Sequence, residues 1–156
     1  MKLSTIEEVA LQTIELEAAS IANLSNYINE DFKKTVEVIF ESKGRVVVSG
    51  IGKSAIVAQK IVATFNSTGT PSLFMHAADA IHGDLGIIKN EDIVICLSKS
   101  GNSPEIKVLV PMIKGFGNKI IGLVSHKDSF LYQEADFPVW LPMEKEADPN
   151  NLAPTT

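Results

Sequence analysis

The stretch 45-RVVVSGIGKSA-55 decides the fold. Its run of consecutive valines is typical of a parallel strand that is covered on both faces. Gly50 and Gly52 then predict a tight turn, after which "KSAIVAQKIVATFNSTG" has helical spacing and ends at Gly69. A buried strand that turns directly into a helix indicates an α/β protein with a parallel sheet.

The same alternation continues along the chain. Further strands are predicted at "SLFMH", "DIVICLS", "KIIGLVS" and "FPVWL", with helices at "PEIKVLVPMIKGFG" and "DSFLYQEA". Two helices precede the first strand, "STIEEVALQTIELEAASIANL" and "INEDFKKTVEVIFESKG". Ser4 or Thr5 is expected to cap the first helix, and Gly44 is expected to end the second. The pattern predicts a parallel sheet with helices on both faces.

Composition limits the class of protein. The chain has 156 residues and a net charge of −5, which fits one domain and disfavours nucleic acid or an anionic membrane as the main partner. The single cysteine, Cys96, cannot form an internal disulfide or a cysteine-based metal cluster, and it is expected to be a core residue. No apolar run approaches the ~20 residues of a membrane span, and the N-terminus lacks a signal-peptide core. We therefore expect a cytoplasmic protein.

Three loops follow the predicted strands at one edge of the sheet. They are "SGIGKSA", "SKSGNSPE" and "SHKDS", and ligands of parallel α/β sheets bind at the carboxyl ends of the strands. The first loop is not a Walker phosphate loop, because Val47 stands where that pattern needs its first glycine. Lys53 is either a solvated residue of a tight turn or a cation directed at a ligand.

The stretch "SKSGNSPE", residues 98–105, has two interpretations. In the first, Ser103 only caps the helix that begins at Pro104. In the second, hydroxyls and free backbone N–H groups bind an anion, most plausibly phosphate. Helix capping explains Ser103 and leaves Ser98 and Ser100 without a role, so the sequence favours the anion-binding loop.

Several titratable residues are candidates with structural alternatives. His82 lies in a glycine-flanked loop, where Asp84 could orient it. Neither of the other histidines lies at metal-ligand spacing from it, so no zinc site is expected. Glu105 is common as a helix-start residue, and Glu144 and Glu146 could be a solvated charge run.

Three segments together resemble a known family. "GRVVVSGIGKSAIVAQKIVATFNSTGTPSLFMHAADAIHGDLG", "LSKSGNSPEI" and "EKEADPNNLAPTT" resemble the sugar-isomerase (SIS) domain of D-arabinose 5-phosphate isomerases. The resemblance implies a flavodoxin-like three-layer sandwich with a five-stranded parallel sheet. It also implies an aldose–ketose isomerase that interconverts D-ribulose 5-phosphate and D-arabinose 5-phosphate through an enediol. That reaction leads to the Kdo sugar of lipopolysaccharide or capsule, and we expect it to need no metal or other cofactor.

The resemblance also implies roles for individual residues. The residues expected to bind the substrate phosphate are Ser98, Lys99, Ser100 and Ser103. The residues expected to act in catalysis are Lys53, His82, Glu105 and Glu146. The residues expected to line the pocket are Gly50, Gly52, Ser54, Gly101, Asn102, Thr155 and Thr156.

The chain departs from the family pattern in several places. Asn102 stands where a glutamate is common, and Ala55 replaces a typical glycine. The family continues beyond Thr156 into a helix with a further catalytic histidine, and many relatives add paired CBS domains. Residues 1–156 are therefore expected to form a single, incomplete SIS domain, whose exposed apolar surface another subunit would cover in a homodimer or homotetramer.

Two other functions fit the same motifs. One is a non-catalytic sensor of a phosphosugar or CMP-sugar, with CMP-Kdo as a possible ligand or inhibitor. The other is an SIS isomerase of the hexulose 6-phosphate type, which the pair "HGDLG" and "EKEADPNNLAPT" argues against.

Overall fold

A computed structural model describes residues 3–148 and residue 150. The chain divides into two compact units, one comprising Met1–Ile28 with Pro142–Thr156 and the other Asn29–Leu141. The expectation that residues 1–156 form a single domain stays a prediction. None of the helices in the described part of the chain combines the length and apolar character that a membrane span requires.

The larger unit is built on a five-stranded sheet in which every strand pair is parallel. The strand order is β2-β1-β3-β4-β5, which is the flavodoxin-like order and confirms the predicted fold class. The strands are β1 (Val46–Gly50), β2 (Ser72–His76), β3 (Ile93–Leu97), β4 (Lys119–Val124) and β5 (Phe137–Trp140).

Helices cover both faces of this sheet, because alternate strand residues point in opposite directions. On one face Val47 and Val94 pack against Ile106 and Leu109, and on the other Val48 packs with residues of two further helices. The α-helices of this unit are α2 (Glu30–Glu41), α3 (Lys53–Ser67), α4 (Ala77–Ile81), α5 (Pro104–Gly115) and α6 (Phe130–Glu134), and a 3-10 helix spans Asp84–Ile87. The three-layer sandwich is thereby confirmed.

Cys96 is fully buried in the layer formed with α4 and α5, as predicted for a core residue. Burial raises the pKa of its thiol to about 12. The thiol therefore stays protonated at neutral pH and acts as a small apolar side chain.

The smaller unit contains α1 (Leu3–Asn23), followed by a short 3-10 helix, Leu24–Tyr27. Ser4 and Thr5 already lie inside α1, so the prediction that one of them caps this helix is wrong. Apolar side chains of α1 are exposed, from 50% for Ile6 to 70% for Ile21.

Gly44 does not end α2, which is a second correction. The helix ends at Glu41, with Ser42 in an extended conformation at its C-cap, and Gly44 is not among the glycines with positive φ. A side chain at Gly44 would collide with the backbone carbonyl of Glu91. The glycine is needed for this close approach between segments distant in sequence, which a local pattern does not reveal.

An ion pair between a buried carboxylate and a partly buried guanidinium joins the segments that enter β1 and β3. The side chain of Asp92 is 1% exposed, and its Oδ2 lies 2.6 Å from Nη2 of Arg45. The backbone N–H groups of Arg45 and Lys89 also donate to this carboxylate, each at 2.8 Å. Burial alone would raise the pKa of Asp92. The hydrogen bonds and positive charge of Arg45, together with the hydrogen bond from the Lys89 N–H, outweigh this effect, so the pKa of Asp92 lies below its usual range.

We expect Asp92→Asn to lower the free energy of unfolding by about 3 kcal/mol at neutral pH, because it leaves a partly buried guanidinium without its countercharge. A carboxyl group whose pKa is lower in the folded than in the unfolded protein contributes its full stabilisation at any pH above the unfolded-state pKa. That contribution is lost as the pH falls through the folded-state pKa. The difference between wild type and variant in urea unfolding should therefore shrink only below the ordinary value of 3.8.

The exposed pair Lys114–Glu134, with its atoms 2.7 Å apart, provides the control. Glu134→Gln should cost no more than about 0.5 kcal/mol, because solvent screens the pair. Equal effects of the two substitutions would contradict the structural role given to Asp92.

Candidate functional site

The candidate site lies at the carboxyl edge of the sheet, where the strand order reverses between β1 and β3. The last residues of these strands, Gly50 and Leu97, are direct partners in the parallel register. After β1 the chain enters α3 on one face of the sheet. After β3 it passes through a longer loop into α5 on the other face. This arrangement opens a crevice at the position where flavodoxin-like sheets bind their ligands.

The loop between β1 and α3 brings backbone close to this crevice. A side chain at Gly50 would lie 2.9 Å from the backbone of Ser54, so the turn requires glycine there. Gly52 has a φ of 57° and precedes α3 without a side-chain cap. Lys53, the exposed first residue of α3, therefore begins a helix whose first N–H groups and partial positive charge are available to an anion.

The serine loop, residues 98–103, uses its hydroxyl oxygens to shape its own turn. Oγ of Ser98 accepts from the N–H of Gly101 at 3.1 Å, and Oγ of Ser100 accepts from the N–H of Asn102 at 3.3 Å. Oγ of Ser103 accepts from the N–H of Ile106 at 3.4 Å, which confirms it as the cap of α5. The premise that Ser98 and Ser100 have no structural role was therefore wrong.

These bonds do not use up the hydrogen-bonding capacity of the loop. In each of them the hydroxyl oxygen accepts, so each O–H can still donate to an anion. Ser98 is 7% exposed, whereas Ser100 is exposed and Ser103 half-buried, so the last two are the more accessible to a ligand.

Backbone donors complete the anion-binding character of the loop. The first intrahelical bond of α5 runs from the N–H of Lys107 to the carbonyl of Ser103, so the N–H groups of Ser103 and Glu105 lie ahead of it. Within the described part of the chain, no acceptor is recorded for the N–H of Ser100. Free donors at a helix N-terminus are the usual protein ligands of a phosphate group.

Neighbouring segments hold the serine loop in place. The N–H of Ser98 donates to the carbonyl of Leu123, and the N–H of Ser125 donates to the carbonyl of Lys99. Gly101, with a φ of 64°, packs so closely on Ser129 that an added Cβ would lie 2.6 Å from the Cβ of that serine. The loop is thus fixed to β4 and to the segment entering α6.

The charged candidates of this unit differ in their surroundings. Glu105 is a half-buried residue in the first turn of α5, directly after the serine loop. His82 follows α4 as its exposed C-cap residue. The expected orientation of His82 by Asp84 is not seen, since no hydrogen bond or ion pair between these two described residues is recorded.

Glu146 belongs to the smaller unit. Its side chain is not part of a solvated charge run, because the residue is only 4% exposed. It lines a cleft of about 530 Å³ together with Val9, Thr13 and Leu16 of α1. Thr155 and Thr156, predicted to line the pocket, lie outside the described residues.

His76 is a site-edge residue that sequence reasoning considered only as a metal ligand. It ends β2 and pairs in register with Gly50, which places it one strand away from the Lys53 loop. Its Nδ1 is buried without a hydrogen-bond partner among the described residues, and Oδ2 of Asp79 lies 3.8 Å away. A polar residue at the carboxyl end of a predicted strand was the signal that could have identified it.

Comparisons with known proteins identify the family of this chain. The SIS domain family model matches residues 39–156. The chain is 46% identical over 146 residues to arabinose 5-phosphate isomerase KpsF of Escherichia coli O6:H1, covering 93% of this chain and 45% of that protein. It is 43% identical over 150 residues to arabinose 5-phosphate isomerase KdsD of Yersinia pestis, covering 96% of this chain and 46% of that protein.

A solved structure is similar over nearly the whole chain. It is an Escherichia coli CFT073 protein in complex with arabinose 5-phosphate, with a TM-score of 0.94, 35% identity, and coverage of 99% of this chain and 82% of that one. The chain spans less than half the length of the curated relatives that it matches. The family match over residues 39–156 and the flavodoxin-like sheet together show that this chain belongs to the SIS domain family.

Proposed function

We propose that this chain carries the sugar-phosphate site of an aldose–ketose isomerase that interconverts D-ribulose 5-phosphate and D-arabinose 5-phosphate. The observation that carries the proposal is the serine loop at the β1–β3 crevice. Its N–H groups at Ser100, Ser103 and Glu105 have no acceptor among the described residues, and the exposed Lys53 lies at the start of α3. The similarity to proteins named arabinose 5-phosphate isomerases supports this choice of sugar. So does the similar structure that was solved with arabinose 5-phosphate.

The phosphate group positions the substrate in this mechanism. Hydroxyl and N–H groups of the serine loop hold it, with Ser98 and Lys99 completing the proposed set. A fixed phosphate places the reacting carbons of a five-carbon sugar at a constant distance from the loop, which replaces a random encounter by a prepared geometry. Gly50, Gly52, Ser54, Gly101 and Asn102 shape the backbone around it.

The chemical step moves one proton between neighbouring carbons. A carboxylate takes the proton from C1 of the ketose, and the electron pair of that C–H bond forms the C1–C2 double bond of an enediolate. Lys53 stabilises the negative charge that develops on the carbonyl oxygen. Return of the proton to C2, with transfer of the O1 proton to O2 through a group such as His82, gives the aldose.

Lys53 gives the first test of this reaction. In the complete natural protein, Lys53→Met should lower kcat/KM for ribulose 5-phosphate by about 10²–10³, the usual effect of losing one oxyanion-stabilising group. Lys60→Met is the matched control, because Lys60 is an exposed lysine of the same helix. If the wild-type protein binds the sugar phosphate but does not turn it over, the proposed reaction is wrong, whereas the proposed binding site is supported.

Two glutamates compete for the role of the base. Glu105 follows the serine loop in the larger unit, and Glu146 is the buried carboxylate of the smaller unit. Replacing the true base by glutamine should lower kcat by about 10²–10⁴ with little change in KM. Kinetics of Glu105→Gln and Glu146→Gln should therefore differ sharply, and unchanged kcat in both would exclude a glutamate base from this pair.

Further expectations from the resemblance stay predictions. They are a cytoplasmic location, inhibition by CMP-Kdo, and assembly as a homodimer or homotetramer. Self-association is supported by an apolar stripe on α2, where Phe32, Val36 and Phe40 recur at every turn and Phe40 is 88% exposed.

A further inference from the structure

Asn102 connects the serine loop to the start of α6. Its Oδ1 accepts from the N–H of Phe130 at 3.1 Å, and its Nδ2 donates to the carbonyl of Ser100 at 3.3 Å. We propose that Asn102 is a positioning residue, whose amide holds Ser100 and the adjoining free N–H groups in their anion-binding arrangement before a ligand arrives. This inference rests on the proposed sugar-phosphate site.

The α6 side of this connection is a fixed anchor. Phe130 is the first residue of α6, so its N–H precedes the first intrahelical bond and needs an acceptor from elsewhere. The cap residue Ser129 serves other groups, since its Oγ accepts from the N–H of Tyr132 and donates to the carbonyl of His126, and Oδ1 of Asn102 is the acceptor for Phe130. The next residue, Leu131, is fully buried in the core. Asn102 thus joins the loop to a part of the fold that cannot move freely.

On the loop side, Asn102 makes two hydrogen bonds to Ser100. The side-chain amide of Asn102 binds the carbonyl of Ser100, while the backbone N–H of Asn102 binds its Oγ at 3.3 Å. Both bonds span Gly101, which has a positive φ, and a glycine backbone has more freedom than that of other residues because it lacks a Cβ. Backbone bonds already hold the carbonyls of Lys99 and Gly101. Without the side-chain bonds, the peptide groups of Ser100 between them would keep more freedom until the ligand binds, and losing that freedom costs affinity.

The residue type fits this task better than a carboxylate would. An asparagine amide both accepts and donates, so it can serve Phe130 and Ser100 at once. A glutamate or aspartate at this position could accept from Phe130, but it could not donate to the carbonyl of Ser100. It would also place a negative charge beside the bound phosphate.

The test measures binding of D-arabinose 5-phosphate by calorimetry, well below the unfolding midpoint of each variant. Asn102→Ala should weaken binding about tenfold, because the loop loses its preorganisation. In turnover of the complete protein, KM should rise while kcat stays nearly unchanged. Asn102→Asp keeps an oxygen that can accept from the N–H of Phe130 and loses the amide that donates to the carbonyl of Ser100. This variant should therefore bind the sugar phosphate no more tightly than Asn102→Ala does.

Asn66 provides a matched control. Its side chain also makes two hydrogen bonds. Nδ2 donates to the carbonyl of Ser72 at 3.0 Å, and Oδ1 accepts from the N–H of Ser72 at 2.8 Å. Ser72 is the first residue of β2, so these bonds lie at the end of that strand opposite to the site. Asn66→Ala should leave sugar-phosphate affinity unchanged. Equal loss of affinity in Asn66→Ala and Asn102→Ala would overturn the proposal, because the effect would then be a general one on stability.

The outcomes separate this inference from the proposed function. If the wild type does not bind the sugar phosphate, the proposed function fails and this inference fails with it. If the wild type binds and Asn102→Ala binds equally well, only the positioning role of Asn102 is wrong. If Asn102→Ala does not fold, Asn102→Asp carries the test, and wild-type affinity in that variant overturns the role of the donor bond.

Discussion

The pairing of β1 with β3 is the constraint on which the rest of this structure depends. The two strands run in register from Val46 and Ile93 to Gly50 and Leu97, so they end side by side. Because the chain then leaves toward opposite faces of the sheet, two loops are forced to be neighbours across a crevice. A slip of one residue would exchange the buried faces of both strands, so their apolar side chains enforce this register.

The proposed anion site is local and not a consequence of the overall charge. The chain carries a net charge of −5, which repels anions at long range. In the proposed site, attraction would come instead from backbone N–H groups that the start of a helix leaves without intrahelical partners. Such groups bind well only if they are held in place, and here β4 and the start of α6 hold the serine loop. In the proposed site, the hydrogen bonds that fix the loop therefore keep its N–H groups where a phosphate would bind.

The sequence was sufficient for the sheet and for most of the helices. The valine run of β1 and the Ser103-Pro104 start of α5 are local patterns with a direct structural meaning, and the structure confirms both. The short helix α4 was missed because it begins without a side-chain cap, whereas α6, which has the same length, follows the capping residue Ser129. The purpose of Gly44 was missed because it depends on Glu91, which lies far away in sequence.

The candidate site could be located from sequence more reliably than it could be described. The serine loop and the Lys53 loop followed from their places after buried strands, and the sheet order brings them together. The bonds that Ser98 and Ser100 make depend on the backbone conformation at Gly101, which no residue pattern specifies. The burial of Glu146 and the unpartnered Nδ1 of His76 among the described residues depend on tertiary packing in the same way.

We propose above all that the serine loop binds phosphate through its backbone. This binding is tested most directly by amide proton–nitrogen NMR spectra recorded while inorganic phosphate, and then D-arabinose 5-phosphate, is added. The account predicts saturable shifts that are largest at the N–H groups of Ser100, Ser103 and Glu105. Saturable binding that leaves these three signals in place and shifts others would contradict it.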